Sequence, residues 1–252
     1  MKIYIYLFIV LIFPLTNLLG QSNTAVFEQA NAAYNGGNYI LAIEKYEAIL
    51  SDELHSAEVY FNLGNAHYRL GNVAESVYYF EQAKRLNPSD KTILNNSRFA
   101  NNMTQDAIDE LPETQVDLFQ QKIVAFFSLE QWAILTLVLA WLGALLFFMY
   151  RWSNHIQFKR LFFSLAIVFV LTTLVSLGLT QHKQALNSIQ KAVIFEREIE
   201  IWVEPNNRAD VLFLLHEGTV VEVVDALEGW SKIQLANGSE GWIQNSGIKQ
   251  LN

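Results

Sequence analysis

Three kinds of hydrophobic pattern follow one another along this chain, and each predicts a different element. Between residues 23 and 90 the pattern repeats itself: Gly37-Asn38 returns as Gly71-Asn72, thirty-four positions on. Ala30 aligns with Gly64, Tyr34 with Tyr68, Ala42 with Ser76, Ile43 with Val77 and Tyr46 with Phe80. A period of this length predicts pairs of antiparallel helices. Further on, Trp132–Tyr150 (WAILTLVLAWLGALLFFMY) and Leu161–Thr180 (LFFSLAIVFVLTTLVSLGLT) run without a charge. Each is long enough to cross a bilayer, which takes about 20 apolar residues. From about Ala192 the text changes to short runs rich in β-branched and aromatic residues, separated by Glu204-Pro205-Asn206-Asn207, His216-Glu217-Gly218, Glu228-Gly229 and Asn237-Gly238. Such spacing predicts a small all-β barrel or sandwich, with Asn237-Gly238 in a type I′ hairpin.

Shorter segments complete the plan. Residues 1–20 carry Lys2, an apolar stretch from Ile3 to Phe13 and Gly20 before Gln21, the order of a signal peptide. Leu18 stands where a small residue is preferred, so an uncleaved anchor is the alternative; either way the residues that follow are exported. Lys91–Glu110 predicts a third helix pair or a capping helix. Phe119, Ile123, Phe126 and Phe127 share one helical face, predicting either a helix lying in the membrane interface or the first turns of a tilted span. Between the two spans, residues 151–160 hold Arg151, Lys159 and Arg160 with no acidic residue, which marks a cytoplasmic loop. Both flanking modules then lie outside the cytoplasm, with Trp132, Tyr150 and Trp152 at the interfaces.

Composition narrows the chemistry. Hydrophobic residues make up 52% of the 252 and charged ones 17%, an excess that the two spans absorb. There is no cysteine, which removes disulfides, thiolate nucleophiles and cysteine-based zinc sites. The net charge of −8 and the lack of a basic patch argue against nucleic acid. None of His55, His67, His155, His182 and His216 belongs to an H-E-x-x-H motif or sits beside a nucleophile elbow. The acidic run Asp106, Asp109, Glu110, Glu113 reads as a solvated face. No catalytic residue, metal site or cofactor is expected, and the chain reads as a binding protein, not an enzyme.

The second copy, AEVYFNLGNAHYRLGNVAESVYYFEQAKRLNP, resembles the tetratricopeptide repeat through Tyr60, Leu63, Gly64, Tyr68, Gly71, Ser76, Phe80, Ala83 and Pro88. That resemblance implies a groove lined by the first helix of each pair, at Phe27, Asn31 and Tyr34 in the first copy and Glu58, Phe61, Asn62, Asn65, Tyr68 and Arg69 in the second. Asn31 and Asn62 match the asparagines of a carboxylate clamp, but Phe27, Thr92 and Asn96 replace its basic residues. The groove therefore suits peptide backbone and apolar side chains rather than a terminal carboxylate. The series Pro205, Leu214, Gly218, Trp230 and Gly241-Trp242-Ile243 resembles the bacterial SH3-like domain, with Val203-Glu204 where an arginine–serine pair is common. Trp202, Trp230 and Trp242 are its candidate ligand face, with a core role for Trp230 and Trp242 as the alternative.

The whole order resembles protein E of the Bacteroides aerotolerance (Bat) operon family, most tellingly in Asp106–Glu113, Ser128–Trp132 and WSKIQLANGSEGWI. The resemblance implies a multi-domain inner-membrane scaffold with its repeats and its SH3-like domain in the periplasm. The implied partners are membrane proteins with von Willebrand A-type domains, in a complex linked to aerotolerance and stress resistance. Peptidoglycan, bound by the SH3-like domain in a cell-wall sensor or anchor, is the other reading.

Overall fold

The computed structural model describes residues 23–109, 111, 112 and 114–251; the signal-peptide segment, Glu110 and Glu113 lie outside the described residues. The chain divides into two units, one of residues 1–110 with 190–252 and one of residues 111–189.

In the first unit, α1 (helical over 23–35) and α2 (Tyr39–Ser51) form the first hairpin. A second follows from α3 (Ala57–Leu70) and α4 (Val73–Leu86), and then comes the single helix α5 (Lys91–Asn101). Local chemistry sets the boundaries. Ser56 accepts from Val59 N to start α3, Gly71 ends it with φ 78°, and Asp90 accepts from Thr92 N and Ile93 N to start α5. Gly64 lets α4 approach: a Cβ there would meet the Phe80 ring at 2.9 Å. Ser76 donates to the Gly64 carbonyl across the same contact, 3.0 Å away. Tyr46, Leu63, Val77, Phe80 and Ala83 are fully buried around it.

Among the described residues the same unit holds seven antiparallel strands in the order β3-β2-β6-β5-β4-β1-β7. They are β1 (Gln190–Ile194), β2 (Glu198–Trp202), β3 (Val211–His216), β4 (Val220–Leu227), β5 (Trp230–Gln234), β6 (Glu240–Gln244) and β7 (Ile248–Gln250). Alternation puts Ile199, Ile201, Leu215, Val221, Ile233 and Ile243 inside an SH3-like barrel. The β5–β6 turn differs from the expected type I′ form. Only Gly238 has positive φ there (83°), and its N–H bonds the Leu235 carbonyl while Leu235 N bonds Ser239 O. This is a type I turn closed by a glycine bulge, one residue longer than the two-residue loop.

In the second unit, α6 (Gln115–Ala125) precedes α7 (Leu129–Trp152) and α8 (Ile156–Ser188). Both long helices are long and apolar enough to cross a membrane. They pack as a hairpin whose turn is only residues 153–155, so Arg151, Lys159 and Arg160 sit on helix ends rather than in a ten-residue loop. No glycine or proline interrupts 181–188, and α8 runs on past the apolar stretch to about 50 Å. Thr136 bonds Ser176 at 2.8 Å between the two helices. α6 is separate from α7: a capping box between Ser128 and Gln131 starts a new helix, which excludes a continuous tilted span.

Candidate binding groove and the repeat–barrel seam

The first helices α1, α3 and α5 lie side by side, and asparagines join them. Asn62 Nδ2 donates to Asn31 Oδ1 at 3.2 Å, and Asn96 Nδ2 donates to Asn65 Oδ1 at 2.8 Å. The two rungs are one repeat apart, 31 to 65 and 62 to 96. Tyr46 donates to the same Asn31 oxygen at 2.6 Å, and burial pushes its phenol up to about 12, so it stays a donor. With each carbonyl oxygen committed, the Nδ2 groups of Asn31 and Asn65 carry no bond among the described residues.

The remaining groove positions divide into two sets. Phe27, Tyr34 and Phe61 are half-buried against the repeat core, Phe27 with its ring 5.9 Å from Tyr46 and Phe61 with its ring edge-on to Phe80. These three mainly pack. Glu58, Tyr68 and Arg69 are exposed, and the Tyr34 phenol raises the Arg69 guanidinium above its ordinary value. Asn96 belongs to the ladder too. It is overlooked when read only as the place of a missing arginine, although its thirty-four-residue offset from Asn62 is visible in the sequence.

On the barrel, register places Trp202 opposite Trp242 and Trp242 opposite Lys232, with Trp230 two residues from Lys232 on the same face. The three indoles are half-buried, and Trp202 meets Trp230 edge-on at 6.4 Å. They lie on the face opposite the isoleucine core.

The barrel is seated on the repeats. Past α5, Asp106 is not the solvated acid its run suggests; its side chain is 12% exposed. It accepts from His216 N at 2.7 Å, His216 Nδ1 at 2.7 Å and Thr219 Oγ1 at 2.6 Å, all on the β3–β4 turn. Ile108 packs on the barrel core. Gly218, with φ 86°, brings that turn so close that a Cβ would stand 2.8 Å from both Val73 and Thr104 side chains. Phe195 meets Tyr78 of α4 edge-on at 5.8 Å, and the Lys249 ammonium lies 4.2 Å from the centre of the Tyr78 ring. This explains why α4 is buried on nearly every side.

The clasp is charged. Burial works against ionisation of Asp106, but the bonds from Thr219 and His216 hold its carboxyl below the usual range. The Asp106 hydrogen bond raises His216, helped by Glu198, whose carboxylate is 3.6 Å from Nε2. The His216 contribution is complete below the ordinary histidine value and is lost as pH rises through its raised folded value. The Asp106 contribution is lost only as pH falls through its lowered value. His67, stacked on Tyr79 and lowered by burial, acts in the opposite sense, so a comparison isolates the clasp. The stability difference between the protein and a His216→Asn variant is expected to shrink as pH rises from about 5.5 to 8.5. A difference constant over that range in thermal melts contradicts the pairing.

Among the described residues, no group of three or more His, Asp or Glu side chains could hold a metal ion. Family models match the two modules of this unit: the tetratricopeptide repeat matches residues 27–91, and the bacterial SH3 domain matches residues 201–249. Both are binding modules without catalytic machinery of their own. No curated protein matches the chain.

Proposed function

We propose that this chain is a non-enzymatic scaffold of the inner membrane whose repeat groove holds an extended segment of a partner protein in the periplasm. The observation that carries this reading is the double asparagine rung. Two amide donors, one repeat apart, stand beside exposed Tyr68 and Arg69, as recognition of a peptide main chain requires. The two long apolar helices support the anchoring. The resemblance to the Bat E family supports membrane proteins with von Willebrand A-type domains as partners, in an envelope complex linked to aerotolerance.

The test is an isosteric exchange. Asn31→Asp with Asn65→Asp keeps the oxygens that Tyr46, Asn62 and Asn96 use and removes both outward donors. Affinity purification of the full-length protein from its host's membranes is expected to recover the partner at least tenfold less well, about 1.4 kcal/mol or more for the two bonds. Undiminished recovery rules out main-chain reading by the rungs.

The half-buried Trp202, Trp230 and Trp242 favour a second reading, a sensor or anchor that binds peptidoglycan through the barrel. Its mark is sedimentation of the intact protein with isolated cell wall that a Trp202→Ala, Trp242→Ala variant loses. Equal sedimentation of both proteins counts against it.

A further inference from the structure

We infer that α6 is a lipid-surface element: its apolar stripe lies in the boundary layer of the same bilayer that α7 and α8 cross, and Lys183 pins it there. The inference rests on the membrane reading above and adds a second mode of contact with lipid.

The sequence of α6 is two-faced. Val116, Phe119 and Ile123 fall at i, i+3 and i+7 along one side, with Phe126 just past its end, while Gln121 stands on the other. Val116 is 62% exposed, Phe119 64% and Phe126 77%. A short helix that leaves so much apolar surface open needs a non-aqueous cover. Continuity decides which cover. Only Phe126, Phe127 and Ser128 separate α6 from the start of α7, so the helix cannot leave the level at which the span begins.

Three bonds then fix its end. Lys183 Nζ, just past the apolar stretch of α8, donates to Val124 O at 3.0 Å and to Phe127 O at 2.6 Å. Trp132 Nε1, in the first turn of α7, donates to Val124 O at 3.2 Å. An ammonium and an indole thus satisfy the open carbonyls at the C-terminus of α6, where positive charge is favoured. Both are also side chains suited to the lipid–water boundary, with an apolar body and a polar tip. Phe127 closes the elbow by packing edge-on to Trp132 at 5.1 Å.

The absence of cysteine makes the test direct. Single variants Phe119→Cys, Gln121→Cys and Leu137→Cys of the full chain are labelled with a polarity-sensitive fluorophore and reconstituted in phosphatidylcholine–phosphatidylglycerol vesicles. Leu137, 62% exposed in mid-α7, reports on the span itself. The expected result is a blue-shifted Phe119→Cys probe quenched by nitroxides near the headgroup end of the acyl chains. The Gln121→Cys probe is quenched by aqueous iodide, and the Leu137→Cys probe by deep nitroxides. Adding Lys183→Gln should weaken lipid quenching at 119 several-fold and leave it at 137. A water-accessible probe at 119 beside a lipid-quenched probe at 137 overturns the inference and gives the stripe to a protein partner. Quenching at 119 that is undiminished in Lys183→Gln overturns the pin. Water access at 137 as well removes the membrane reading itself.

Discussion

Asp106→Ala is expected to loosen the barrel from the repeats while leaving each module folded. The substitution takes one acceptor away from three donors on the β3–β4 turn, two from His216 and one from Thr219. A hydrogen bond to a charged group contributes about 1.5–3 kcal/mol, but water reaches this site from one side, so a total loss of about 2 kcal/mol is expected. Asp106→Asn keeps one acceptor oxygen and should lose about half as much. The effect is expected in the melting temperature of the detergent-solubilised protein and in faster proteolysis of residues 102–109. An unchanged melting point and cleavage pattern would mean that the apolar part of the seam alone holds the barrel. That part includes Gly218 against Val73, Phe195 against Tyr78 and Ile108 on the barrel core, beside the cation–π contact of Lys249 with Tyr78.

Phe80→Ala should have the largest effect of any single change in the repeats. Phe80 is 1% exposed, faces Gly64 at ring contact and receives the edge of Phe61. Removing a buried phenylalanine costs about 3–5 kcal/mol, against a total of about 5–15 kcal/mol for a domain. Loss of helical signal at a much lower denaturant concentration, with loss of partner recovery, is the expected outcome. Gly64→Ala attacks the same contact from the other side. Its Cβ would overlap the ring, at about 1–3 kcal/mol. Combined with Phe80→Leu, which withdraws the ring, it should cost less than the sum of the two single losses. Strict additivity would show that the two residues do not meet.

What the sequence disclosed follows from how local each feature is. The helix pairs, the barrel strands and the two long helices announce themselves through period, turn residues and uninterrupted apolar runs. The equivalence of Asn31 with Asn65 and of Asn62 with Asn96 was legible because the repeat aligns them, whereas the half-burial of Phe27, Tyr34 and Phe61 was not. A position in an aligned helix does not say which neighbour its ring will reach. The seam was invisible for another reason. Asp106 and His216 lie 110 positions apart with both long helices between them, and no local pattern links the two. Asp106 therefore looked like one more acid in an acidic run. The β5–β6 turn shows a smaller gap: Asn-Gly signals a hairpin, but the partner strand's register decides how many residues the loop holds.

The seam also bears on topology. If α7 and α8 cross a bilayer as a hairpin, residues 106 and 219 can meet only when both modules stand on the same side. That single-sided unit is the centre of the account, and the cysteine-free chain lets it be tested in native membranes. Thr104→Cys and Glu217→Cys, on either side of the contact between Thr104 and Gly218, are introduced together and treated with a short bis-maleimide. A control pairs Thr104→Cys with Glu228→Cys, just past β4 and about 25 Å along the strand from its start. The account predicts that only the first pair links, joining the two fragments obtained when the chain is cut between α7 and α8. Fragments that separate in both variants, or link equally in both, would contradict it.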